Sequence, residues 1–219
     1  PIVIRSKVTI CLNDMTLQSI AENKPVFQIE GNGELTLTDC KAEGKVMHDS
    51  SGGGSGSGVY VNGGILNLYS GRITRSQGQT GTDSNKNKYG GGVYVNGVSF
   101  NMYGGEITDN SANYGGGVYV KSGTFTMNGG TIKNNTSSGG YGSGSGGAGV
   151  YVEGGKDNKF IMNNGASVTE NKIKGGSNGG GVYVNGGTFE MYNSASVFDN
   201  KVTYGNSSGG GVYVSGGTF

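Results

Sequence analysis

Residues 115–135 read GGGVYVKSGTFTMNGGTIKNN, and most of the chain is a variation on this line. Val-Tyr-Val recurs from Val59, Val93, Val118, Val150, Val182 and Val212, at intervals of 34, 25, 32, 32 and 30 residues. A second apolar segment follows each complete copy, starting at Ile65, Ser99, Thr124, Lys159 and Thr188, and a third is centred on Ile73, Ile107, Ile132, Val168 and Val197. Within a segment the apolar residues alternate, as in Phe125-x-Met127, which is the two-residue period of a strand with one face turned inward. Glycine- and asparagine-rich corners separate the segments. A fixed period of this size, with three short strands and no helical crossover, predicts an all-β parallel β-helix solenoid of about seven coils. Phe100, Phe125, Phe160 and Phe189 should then stack inside as one ladder, and Met102, Met127, Met162 and Met191 as another. Glycine is expected to supply the positive-φ corners, with asparagine tolerating the same region; Asn110, Asn135, Asn171 and Asn200 each lie three residues past the centre of a third segment.

The opening is a looser version of the same plan, so the chain reads as one domain, 1–219, with degenerate coils over 1–58 and regular ones over 59–219. Val8–Leu12 and Met15–Leu17 take the second and third places of a coil. Val26–Ile29 and Leu35–Thr38 take the first and second places of the next. Gln28 stands where later copies carry tyrosine, which argues that this position points away from the core. The tyrosines Tyr60, Tyr94, Tyr119, Tyr151, Tyr183 and Tyr213 are therefore expected as a ladder on the outer surface. A flat apolar ring with a hydroxyl suits sugar rings and protein surfaces, making these six the candidate binding residues. The competing explanation is mutual stabilisation of neighbouring rings across parallel strands.

Composition removes several classes. Glycine makes up 48 of 219 residues without the strict triplet of collagen, and 16 basic against 15 acidic residues leave a net charge of +1. Such a balance gives no electrostatic footprint for nucleic acid. No apolar run has the length of a membrane span. One histidine, His48, and two cysteines offer neither a multi-ligand metal site nor a catalytic triad, so no cofactor and no metal are expected. Cys40 lies three residues past Leu37, the counterpart of Ile10, whereas Cys11 directly follows Ile10; this offset predicts two free thiols.

Asp109, Glu170 and Asp199 share one position, just before the corner asparagine, and Glu170 and Asp199 fall on neighbouring coils. Such a pair could suit a glycosidase or share a cation. The same position holds Arg75 and Asn134 in other coils, however, so a solvated surface role is expected. Corners preceding Val-Tyr-Val vary most in length and contain Gly, Ser, Asn, Lys and Tyr, as in 77–89 and 136–147; repeat proteins often bind through such stacked loops. Gly142, Gly144 and Gly147 match a dinucleotide-loop pattern but lack the βαβ context that gives it meaning. Asn134, Asn135 and Asn206 lie in glycosylation sequons.

The line TFTMNGGTIKNN and the opening VTICLNDMTL make the chain similar to the right-handed parallel β-helix repeat proteins of bacterial cell surfaces, with adhesin-like GGGVYVxGGTFTMxGGTIxxN repeats. That resemblance covers practically the whole chain. It implies a right-handed β-helix and a secreted or cell-surface location. It also implies a non-enzymatic adhesin or stalk that meets a glycan or a host or surface protein. A polysaccharide-degrading β-helix and a purely structural spacer are the alternatives, since one fold hosts many functions. Pro1 and the mid-repeat stop at Phe219 suggest a piece of a longer surface protein.

Overall fold

A computed structural model describes residues 1–48, 56–81, 86–138, 146–175, 178–203 and 208–219. Gly142, Gly144, Asn206 and parts of the corner insertions lie outside these residues. The described residues form strands and turns, with no helix among them.

Equivalent segments of successive repeats lie side by side and pair in parallel. The first row runs Ile2–Ile4, Phe27–Glu30, Val59–Asn62, Val93–Met102, Val118–Met127, Val150–Val152, Val182–Met191 and Val212–Thr218. Its register sets Val93 on Val118, Tyr94 on Tyr119 and Val95 on Val120. The second segments pair likewise, with Phe100 on Phe125 and Phe125 on Phe160. In several repeats the first two segments join into one strand, broken by a register irregularity near glycines such as Gly123, at φ 93°. The third segments, from Thr16–Ser19 and Lys45–His48 through Glu106–Thr108 to Ser196–Phe198, make a seven-stranded parallel sheet.

Two features go beyond the three-strand repeat. A fourth row of two-residue strands, Ser111–Ala112, Thr136–Ser137, Lys172–Ile173 and Lys201–Val202, follows the corner asparagines. Two residues are too few to display a period, so composition hides this row. Gln79–Thr80 and Lys88–Tyr89 also form a short antiparallel pair.

Side chains that alternate inward build one continuous core. Phe100, Phe125, Phe160 and Phe189 are fully buried, with ring centroids 4.5–4.9 Å apart and near-parallel planes. Met102, Met127 and Met162 are buried beside them, and Met191 is partly covered. Close stacking explains the triple glycine. A Cβ on Gly116 would sit 2.4 Å from the Thr136 carbonyl oxygen and 2.7 Å from that of Ala148, while Gly115 adopts φ 62°.

Asparagine does share the positive-φ positions with glycine, at Asn13, Asn23, Asn134, Asn164 and Asn193, but not at Asn110, Asn135, Asn171 or Asn200. That conformation falls on the preceding residue: Arg75, Asp109, Asn134, Glu170 and Asp199 have φ between 52° and 58°. Asn110, Asn135 and Asn171 are instead buried. Each side-chain oxygen accepts the main-chain N–H of the asparagine one repeat earlier, at 3.0 Å for Asn110 to Asn135 and for Asn135 to Asn171. Each amide donates to a carbonyl of the preceding repeat, as Asn135 Nδ2 does to Ile107 at 2.9 Å. Ser76, the first of the series, gives its N–H to Asn110 Oδ1 at 3.0 Å. The corner is thus closed by an amide ladder along the stack.

The expectation of two free thiols is also corrected. Cys11 and Cys40 form a disulfide, with Cα atoms 6.4 Å apart. Cys11 pairs with Thr38 across the sheet, and beyond Thr38 the chain turns sharply instead of continuing outward. Asp39 makes the turn: its carboxylate accepts the N–H groups of Asp14 (3.0 Å), Ala42 (2.7 Å) and Gly44 (2.8 Å). These bonds, led by that from Asp14, hold its carboxyl below the usual carboxylate range. A linear count of residues past Leu37 overlooks this fold-back.

Candidate functional site

The six tyrosines point away from the apolar core, as read from Gln28, but the outer surface expected for them is largely covered. Tyr119, Tyr151 and Tyr183 are only 1%, 3% and 2% exposed, while Tyr60, Tyr94 and Tyr213 are half-buried. They form a second aromatic cluster, separate from the interior one. The cover comes from the corner segments. Tyr89 lies with its ring 5.0 Å from Tyr119, and Tyr114 meets Tyr151 edge-on at 5.5 Å. These corner rings stack on each other at 5.1 Å. Their part in the cluster was not legible in the repeat, because corner lengths vary and only the fold brings Tyr89 and Tyr114 over the ladder.

Geometry decides what this cluster offers. Tyr119, Tyr151, Tyr183 and Tyr213 follow one another at 5.3, 5.0 and 5.3 Å with small interplanar angles. Each ring face is therefore occupied by the next ring, and a sugar cannot stack on faces already in contact. What remains open is the hydroxyl edge, a cleft of about 350 Å³ rimmed by Lys121, Glu153, Asn185 and Ser215. Tyr119 donates its hydroxyl hydrogen to Glu153 Oε2. Burial, followed by the Glu153 carboxylate, pushes the Tyr119 and Tyr151 phenols well above their ordinary range; burial likewise raises Tyr94. Aromatic faces are more accessible elsewhere, at Tyr69 and Tyr103, which stack at 4.5 Å and are 51% and 43% exposed, and at Tyr192.

Two of the three carboxylate candidates have a backbone explanation. Asp109 and Asp199 occupy the left-handed turn position, for which Asp and Asn are suited among side-chain-bearing residues, and Glu170 holds the same conformation without that preference. Glu170 and Asp199 do come together with Lys172 and Lys201 around an open cleft of about 490 Å³. Among the described residues, no three His, Cys, Asp or Glu side chains gather as metal ligands. His48 ends a third-row strand and is buried, with Nε2 2.8 Å from the Ala21 carbonyl oxygen.

A groove of about 600 Å³ on the outer face of the seven-stranded sheet went unrecognised in the sequence. Register explains it: Lys45, Arg72 and Glu106 occupy the same place in adjacent strands. Arg72 pairs with Glu43 at 2.9 Å and with Glu106 at 3.2 Å, and Lys133 reaches the other Glu106 oxygen at 2.8 Å. Aligning third segments would have placed these charges side by side, but not revealed their concavity.

No helix is long and apolar enough to cross a membrane among the described residues. Comparison of the chain with protein families, with curated proteins and with solved structures finds no match.

Proposed function

We propose that this chain is a right-handed parallel β-helix acting as a non-enzymatic rod of the secreted or cell-surface type, an adhesin-like stalk that presents its outer faces and corner loops to a glycan or protein partner. The observation that carries this reading is the in-register stacking of equivalent segments, filled by phenylalanine, asparagine and tyrosine ladders. Such stacking distributes stability along an axis, repeat by repeat, which suits a stiff spacer. The disulfide supports an oxidising compartment, where such bonds persist. Self-contacting ring faces favour a structural role for the tyrosine ladder, leaving the grooves, loops and more exposed rings Tyr69, Tyr103 and Tyr192 for contact. Turn duty at Asp109 and Asp199 favours the non-catalytic reading over a polysaccharide-cleaving one. Small-angle scattering combined with incubation on pectin and alginate tests it. An elongated particle without turnover is expected; a compact particle, or turnover lost in Glu170→Gln or Asp199→Asn, would overturn it.

A further inference from the structure

From the groove on the outer face of the seven-stranded sheet, we infer a binding site for a linear polysaccharide bearing widely spaced carboxylates. This deepens the rod reading and rests on it. The groove crosses five adjacent strands, from Thr16–Ser19 to Thr131–Lys133. Four strand spacings span about 19 Å, room for several sugar units lying along the stack. Its two halves differ in charge. Towards the N-terminal end its lining carries Lys45, Arg72 and Arg75. Arg72 is engaged by Glu43 and Glu106, whereas Lys45 and Arg75 have no ion-pair partner among the described residues. These two are the cations available to a ligand carboxylate. Towards the other end the groove presents Glu106, Asp109 and Asn134, which can accept hydrogen bonds from sugar hydroxyls, with Lys133 held by Glu106.

Glu106 also fixes Arg72 and Lys133 in place before any ligand arrives, which reduces the entropy lost on binding. The mixed charge selects among polymers. A polymer carrying a negative charge on every unit, such as a nucleic acid, must lay charges against Glu106 and Asp109. A chain with one carboxylate per disaccharide can set its charges against Lys45 and Arg75 and its neutral hydroxyls beyond.

Titration calorimetry with hyaluronan, carboxyl-reduced hyaluronan and a single-stranded oligonucleotide tests this. Hyaluronan should bind at least tenfold more tightly than either of the others. The double variant Lys45→Thr, Arg75→Asn should lose at least tenfold of that affinity. Both replacements copy residues the chain itself uses: Thr131 lies in the same row as Lys45, and Asn134 has the turn conformation of Arg75. Equal binding of native and carboxyl-reduced polymer, stronger binding of the oligonucleotide, or a variant with unchanged affinity would each overturn the site. The polymer comparison uses unaltered protein, so it decides the matter even if the variant misfolds. Scattering on the same samples separates the two readings. An elongated particle indifferent to hyaluronan overturns the groove alone; a compact particle overturns the rod and the groove that its stacking creates.

Discussion

Replacing Asn135 by alanine removes the middle of the amide ladder, and its cost can be worked out bond by bond. Asn135 is fully buried. Its Oδ1 accepts the N–H and the Nδ2 of Asn110, each at 3.0 Å; its Nδ2 donates to Ile107 O and Lys133 O, each at 2.9 Å, and to Asn171 Oδ1 at 3.0 Å. Asn110 Nδ2 keeps Ile73 O, and Asn171 Oδ1 keeps the N–H of residue 135, so these two are only weakened. The N–H of Asn110 loses this acceptor in a buried site, and the carbonyls of Ile107 and Lys133 each lose one donor. At about 1–3 kcal/mol for the orphaned N–H and about 0.5–1.5 kcal/mol for each bond lost at the carbonyls, the expected loss is about 2–6 kcal/mol. Urea titration by linear extrapolation measures it, with an unchanged slope required for a clean comparison. Asn135→Ser should recover part of the loss, because Ser76 fills the equivalent corner with a hydroxyl that accepts the His48 N–H at 3.3 Å. Asn135→Asp should recover little, since it has no amide to donate. A loss below about 1 kcal/mol for alanine, or equal losses for alanine and serine, would refute the ladder as a stabilising element.

Three further outcomes are expected. Phe125→Ala, cut from the middle of the buried phenylalanine stack, should cost about 3–5 kcal/mol by the same titration. Phenols raised above their ordinary range in the fold ionise first in the unfolded chain. The contribution of Tyr94, Tyr119 and Tyr151 should therefore be intact below about pH 10 and fall as pH rises towards their native values. Spectrophotometric titration at the phenolate band should show a group of tyrosines that ionises only with unfolding. Asp39 has the opposite sign. Its depressed carboxyl stabilises the first corner above about pH 4, and that contribution should disappear as pH falls through its native value. Hydrogen exchange at the amides of Asp14, Ala42 and Gly44 should accelerate there in acid, and Asp39→Asn should remove the pH dependence.

The three strand rows of the repeat and their inward side chains were legible in the sequence, because a two-residue alternation is a local property that neighbouring copies reinforce; the fourth row, two residues to a strand, was too short to alternate. Phe100, Phe125, Phe160 and Phe189 could be named as a ladder from that alternation, and they form one. Gln28 likewise revealed that the Val-Tyr-Val tyrosines point away from the core. Whether a residue outside the core meets water is not local. Tyr119 and Tyr151 are covered because corners of irregular length bring Tyr89 and Tyr114 against them, and no period records where such a corner lands. The same holds for Cys11 and Cys40, joined because Asp39 gathers three amides and folds the chain back. It holds for the asparagines too: their side chains bond between repeats, so their burial and donors exist only once the repeats stack. The groove at Lys45, Arg72 and Glu106 needed both levels, since register aligns the charges across adjacent strands but only the folded surface forms the cleft they line.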